Sequence, residues 1–374
     1  MKMKKSLCCL IAAALLSVTA LSGCSGNEKQ GDIEQILIGN GKPSSAVSGN
    51  DLPSQASQTS TDTPQNSNVE PSTPPASSSS ITPAMWKVED GSGNYCYMFG
   101  TIHAGNDEAV AFPDYFEKAY NDSQAIAVEA DISTAMTDPA VSADIMKYLT
   151  YSDGTKITDH ISQETYNGIT EVLKNNAPAY YDHMYDNLTP IAWSSIFDSL
   201  VIEKSGLATE KGVDITAINR AKADGKQVLE VESMDYQLKM FDRMSDTIGE
   251  LLLINYTTQE GFDSQITELN ELFDKWKRGD PVRNEIDTSQ FYLLDKETRE
   301  AMEYYIDEMF TKRNPAMADK VESYIRSGQK VLVMVGAAHF YADDGLVNLM
   351  RKKGYTVTRI SPPAQNETDV VGAV

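Results

Sequence analysis

Two short stretches near opposite ends of the foldable part share one plan, and they constrain the chain more than any other feature. Tyr97-Met-Phe-Gly-Thr-Ile-His103 and Val331-Leu-Val-Met-Val-Gly-Ala-Ala-His339 each run through apolar or aromatic residues of strand length to a glycine, with a histidine three positions later. A histidine just beyond the C-terminal end of a strand stands where open α/β sheets assemble their ligand sites. Glycine at that point lets the backbone turn or lets another group come close. The chain has four histidines, His103, His160, His183 and His339, and two of them hold equivalent places. The pattern therefore predicts one site built from two halves. His160 and His183 lie on polar stretches with no partner pattern and are expected to be structural.

Carboxylates recur at the same kind of junction. Ala125-Ile-Ala-Val-Glu129-Ala-Asp131 reads as a buried strand ending in acids, and Gln227-Val-Leu-Glu230-Val-Glu232 repeats the arrangement. A carboxylate flanked by apolar residues at a strand end is either pushed toward its protonated form or held charged by a metal. Glu129 and Glu232 are the candidates for chemistry, whereas Glu230 and Asp131 read as ordinary strand-end ion pairs. His103, His339 and Glu129 or Glu232 make a nitrogen and oxygen set suited to zinc, manganese or cobalt, with room for a water that the metal would acidify. Arg313-Asn314 opens the helix leading into the second histidine strand. Its guanidinium reads equally as a clamp for substrate or developing negative charge and as a surface ion pair. No His-Glu-x-x-His, phosphate-cradling glycine loop, Gly-x-Ser-x-Gly elbow or dinucleotide fingerprint occurs.

Strands are predicted near Met85–Glu89, Tyr95–Phe99, Ala125–Glu129, Gln227–Val231, Lys330–Val335 and Thr356–Ile360. Helices are predicted from Pro113 to Asn121, Thr134 to Leu149, Gln163 to Lys174, Pro190 to Lys204, Asp214 to Ala223 and Met234 to Met244. Further helices are predicted from Gln265 to Lys277, Lys296 to Phe310 and Pro315 to Arg326. Strand, Gly-x-x-His, loop, helix, strand occurs twice, from Tyr95 to Glu129 and from Lys330 to Ile360. The expected fold is one α/β (α+β) domain with a mixed central sheet, helical layers and a large helical insertion between its halves. Cys96 alternates with Tyr95 and Tyr97 and reads as packing.

The N-terminal part follows other rules. Residues 1–23 combine a basic start with an apolar stretch too short to span a bilayer, which reads as an export signal. Leu21-Ser-Gly-Cys24 resembles the bacterial lipobox, which implies cleavage before Cys24 and lipidation of its sulfur, with membrane attachment through the acyl chains. The protein is expected outside the cytoplasm, anchored to the membrane at Cys24. Residues 24–83 are rich in Ser, Thr, Pro, Asn and Gln and cannot bury enough to fold. A flexible tether of that length spans about 40 Å end to end. The folded domain is expected over 84–363, followed by a flexible tail, 364–374. With Cys8 and Cys9 in the signal and Cys24 lipidated, Cys96 is left without a disulfide partner. The formal charge of −22 opposes binding to nucleic acid.

Taken together, Gly100-Thr-Ile-His103, Glu129, Gly336-Ala-Ala-His339 and Arg313-Asn314 resemble the TraB/GumN family, which includes the animal Tiki proteins. Lys211-Gly-Val-Asp214, Val231-Glu232-Ser with Gln237, and Asp344-Gly-Leu346 add to the resemblance, which covers about Ala84 to Ser361. Lys312 departs from it, because many members carry an acidic residue there. The resemblance implies a fold related to the erythromycin esterase and ChaN-like proteins. It also implies a peptidase dependent on manganese or cobalt rather than zinc, acting on a peptide or protein substrate. By position, His103, Glu129 and His339 would be metal or catalytic residues, Glu232 a further acid or base, and Arg313 an orienting cation. The competing expectation is a surface protein that captures a secreted peptide or small ligand without cutting it. An esterase acting on a small molecule rests on fold analogy alone. Substrate and oligomeric state are not specified by the sequence.

Overall fold

The apolar runs form strands where their patterning predicts: β1 (Met85–Glu89), β2 (Tyr95–Thr101), β3 (Ala125–Val128), β4 (Gln227–Glu230), β5 (Val331–Gly336) and β6 (Thr356–Arg359). The computed structural model describes residues 80–135, 138–178, 183–283, 291 and 294–364. The signal, Cys24, nearly all of the tether and the tail lie outside the described residues. The sheet order is β4-β3-β5-β2-β1-β6. Neighbours from β4 to β2 are parallel, while β1 runs antiparallel to both β2 and β6, so the sheet is mixed as expected.

Twelve helices are found among the described residues: α1 (Asp114–Asp122), α2 (Ile132–Ala135), α3 (Pro139–Leu149), α4 (Gln163–Asn176), α5 (Pro190–Ser205), α6 (Val213–Ala223), α7 (Met234–Asp242), α8 (Asp246–Leu253), α9 (Gln259–Arg278), α10 (Lys296–Ile306), α11 (Arg313–Ser327) and α12 (Leu346–Lys352). Side-chain caps explain many of their starts. Ser162, Thr189, Ser233, Ser245, Thr258 and Asp295 each accept a backbone N–H from the first turn. The helix expected from Thr134 to Leu149 is instead two elements. Pro139 opens a new helix behind the capping side chain of Asp138, which accepts from Ala140 N. The α11 helix begins at Arg313, ahead of the expected start at Pro315, and a wide π turn over Asp307–Thr311 joins it to α10.

The period-two alternation of the strands gives the sheet two different covers. Met98, Ala125, Ala127, Val331, Val333 and Val335 share one buried cluster with Met317, Val321 and Ile325 of α11 and with Leu346 and Met350 of α12. Phe99, Ile126, Val128, Leu332 and Met334 belong to the larger cluster, with residues of α1, α6 and the helical insertion. Both predicted units are present, β2-α1-β3 and β5-α12-β6, and they send their second strands to opposite sides of the β5-β2 pair. In that pair Gly100 lies opposite Val335 and Thr101 opposite Gly336. The two Gly-x-x-His segments therefore leave the sheet side by side.

Candidate active site

The four strands β2, β3, β4 and β5 deliver their following residues to one mouth of the sheet. Glu129 comes directly after β3, and Glu232 two residues after β4. The β3-β4 ladder continues past the strands, with Val231 N donating to Val128 O at 2.8 Å and Glu232 N to Glu129 O at 2.9 Å. The glycines of the two motifs clear space for each other's segments. A Cβ on Gly100 would stand 3.1 Å from Ala337 of the second motif. One on Gly336 would stand 3.1 Å from Glu129 Oε1, 3.6 Å from His103 Nε2 and 3.7 Å from His339 Cδ2. Glu129 and both histidines thus gather around the bare backbone of one glycine.

A buried ionic cluster fixes the carboxylates. Arg313 Nη2 donates to Glu129 Oε2 and to Glu232 Oε2, each at 2.8 Å, and Arg313 Nε donates to Glu232 Oε1 at 2.9 Å. Gln237 Nε2 donates to the same two Oε2 atoms at 3.2 Å. Gly336 N donates to Glu129 Oε1 at 2.6 Å. Burial opposes ionisation of Glu129, but the Arg313 guanidinium, the two histidines and the Gly336 N–H together outweigh it and hold the carboxyl well below the usual carboxylate range. Arg313 itself is 1 % exposed. Burial pulls its pKa down, and the charges of Glu232 and Glu129 more than reverse that. Its Nη1 is buried with no hydrogen-bond partner.

Each histidine has its Nδ1 tied by an oxygen from the first turn of a helix. His339 Nδ1 lies 2.6 Å from Asn314 Oδ1, and Asn314 Nδ2 donates to Asp344 O at 2.8 Å, so the carboxamide oxygen is the acceptor for the ring. His103 Nδ1 lies 2.7 Å from Asp214 Oδ2. The contact is an ion pair when the ring is protonated. The two environments drive the rings apart. Burial lowers the His103 pKa, but the Asp214 carboxylate outweighs it and the result is a rise to about 9. Burial and the Arg313 charge push His339 down to about 3. His339 Nε2 stands 3.8 Å from Glu129 Oε1, and the Phe310 ring lies 5.7 Å from the imidazole, centroid to centroid.

The donor chemistry fits a divalent cation. A metal-bound histidine ordinarily offers one ring nitrogen while the other is held by an oxygen, and both rings are held that way here. The residues that would hold a cation are His103 and His339 through Nε2, with Glu129 through Oε1. Among the described residues no three His, Cys, Asp or Glu side chains stand grouped so as to hold a metal ion as they are placed. A cation accepted at His103 would displace the proton that Asp214 favours.

The structure brings together His103, Glu129, Glu232, Arg313 and His339, all five residues singled out in the sequence. Glu230 and Asp131 stay at the surface side of the strand ends, where Glu230 Oε1 accepts Asp131 N at 2.7 Å and Asp131 pairs with Lys222 at 2.7 Å. His160 lies in a separate cluster with Asp246 and Thr155, and Cys96 is buried. Lys312 pairs with Asp307 and Glu308 instead of joining the carboxylates of the site. Three residues of the site had no assigned role in the sequence: Asp214, Gln237 and Asn314. Each lies in the first turn of a helix, but that position alone does not show which way the turn faces.

A profile of the TraB/PrgY/gumN family matches residues 84–359, and the chain belongs to that family. Among its relatives is the "Uncharacterized protein YbaP" of Shigella flexneri, 26 % identical over 261 residues that cover 69 % of this chain and 88 % of the relative. YbaP of Escherichia coli (strain K12) is 26 % identical over 259 residues, covering 68 % and 87 %. A "Metalloprotease TIKI homolog" of Amphimedon queenslandica is 20 % identical over 315 residues, covering 74 % of this chain and 61 % of its own length. No solved structure matches.

Proposed function

We propose that the protein is a metal-dependent hydrolase of peptides or proteins, held outside the cytoplasm by lipid on Cys24. The observation that carries this reading is the meeting of His103, Glu129 and His339 around Gly336, with Arg313 buried behind them. Family membership and the distant metalloprotease relative point to hydrolysis as the class of reaction. A divalent ion, manganese or cobalt before zinc, would supply an acidified water at neutral pH.

The chain's own residues then divide the remaining work. Glu129, kept ionised by the positive charges and the Gly336 N–H around it, offers Oε1 to the cation beside His339 Nε2. Glu232 and Gln237 hold Arg313 and Glu129 in register. Arg313, buried behind the carboxylates, holds Glu129 and Glu232 in place. His103, its Nδ1 facing the Asp214 carboxylate, offers Nε2 to the cation.

A mixed peptide library incubated with the protein and manganese, then compared by mass before and after, tests the reading. Cleavage by wild type that falls at least 100-fold in His339→Ala is expected. Peptides bound and returned uncut would replace hydrolysis with capture, and cleavage undiminished in His339→Ala would remove the mechanism.

A further inference from the structure

We infer that Asp214 is a positioning residue, whose carboxylate fixes the His103 ring with Nε2 turned toward Gly336 and Glu129. The inference rests on the site described above, and it concerns a residue to which neither the sequence motifs nor the relatives assign a role.

Three observations carry it. Asp214 Oδ2 is buried, stands 2.7 Å from His103 Nδ1, and has no hydrogen-bond partner elsewhere. The two side chains retain only 9 % and 13 % of their exposure. A carboxylate oxygen withdrawn from water is costly unless a charge or donor meets it, and here the imidazole is what meets it. The second observation is that the backbone is built to bring the pair together. Val213 N donates to Ile102 O at 2.9 Å, and Gly105 bridges to Ala208. A Cβ on Gly212 would collide with the His103 carbonyl oxygen, so glycine is what lets the start of α6 lie directly against the histidine segment.

The third observation is the contrast with the other motif. Asn314, in the first turn of α11, holds His339 by the same ring nitrogen. Both rings are oriented alike, but a neutral carboxamide stands behind His339 and an anion stands behind His103. An anion there keeps hydrogen on Nδ1 and leaves Nε2 as the working atom. An Asp serving only the N-terminus of α6 would need its charge near the helix end and no particular geometry toward a ring. That difference separates the two roles.

The test uses full-length, metal-free protein with isotope-labelled histidine. Ring nitrogen spectra are recorded at one fixed pH, and His103→Gln assigns the His103 signals. Asp214→Asn keeps the shape and removes the charge, while Asp214→Glu keeps the charge and moves it by one methylene. Positioning predicts that both substitutions shift the His103 ring signals and leave those of His339 in place. It also predicts manganese affinity, read by thermal melts, lowered about 10- to 100-fold in Asp214→Asn. If Asp214→Asn does not fold, Asp214→Glu decides alone. Wild-type His103 ring signals in folded Asp214→Glu would overturn the inference, as would wild-type signals in folded Asp214→Asn. A wild type that binds no manganese would count against the metal-dependent reading, while the ring spectra would still decide the role of Asp214.

Discussion

Arg313 lies between two buried carboxylates, and that placement sets what its loss would cost. Removing the guanidinium leaves Glu129 and Glu232 facing each other out of water, a situation that costs about 3–5 kcal/mol when one member of a buried ionic set is deleted. Arg313→Met is therefore expected to lower the unfolding free energy in urea by about that amount, and adding Glu129→Gln and Glu232→Gln should return part of it. A loss under about 1 kcal/mol would mean that the cluster is solvated, as surface pairs are. At this scale the sequence already named His103, Glu129, Glu232, Arg313 and His339, because chemistry-bearing types stood just beyond apolar strands. It could not tell a buried Arg313 from a surface ion pair, since a helix start reads the same in both cases. The parts played by Asp214, Gln237 and Asn314 depend on how the first turns of α6, α7 and α11 face the sheet, and no local pattern encodes that.

The helical insertion carries its own titratable device in α5. Asp198 is buried, accepts the Tyr256 hydroxyl at 2.6 Å through Oδ1, and has no hydrogen-bond partner at Oδ2. Burial raises its pKa to about 7 from an ordinary value near 3.8, against the opposing hydrogen bond from Tyr256. Because the folded value is the higher one, the stability from this group is complete below the unfolded pKa and is lost as pH rises toward 7. Wild type should lose roughly 3 kcal/mol from this source between pH 5 and pH 8, and Asp198→Asn should not. Chemical denaturation of both proteins at the two pH values checks it; a constant gap between them would refute the assignment. Elements were largely legible, because caps and periodicity are local. The division of Thr134–Leu149 at Pro139 and the π turn before Arg313 were missed: a proline is tolerated in the first turn of a helix, so Pro139 marks a new start only once its Asp138 cap is seen, and the wide turn leaves no pattern in composition.

At the scale of the whole molecule, the mixed sheet and the doubled unit followed from repeated local patterns. The placement of β5 between β3 and β2 did not, because it is a long-range pairing decided by burial of both faces, and it is what makes the two histidines neighbours. Membrane attachment belongs to this scale too. The proposed lipid on Cys24 predicts that the mature protein partitions into the detergent phase on cloud-point separation, while Cys24→Ser stays in the aqueous phase; equal partitioning would contradict the anchor. The measurement that tests the central claim most directly is a thermal melt of the full-length protein titrated with manganese, cobalt and zinc, beside His103→Ala and His339→Ala. Manganese or cobalt at a hundredfold the dissociation constant should stabilise wild type by about 2.7 kcal/mol, and each substitution should abolish the shift. No shift with any of the three metals, or one that survives both substitutions, would contradict a metal site shared by the two halves.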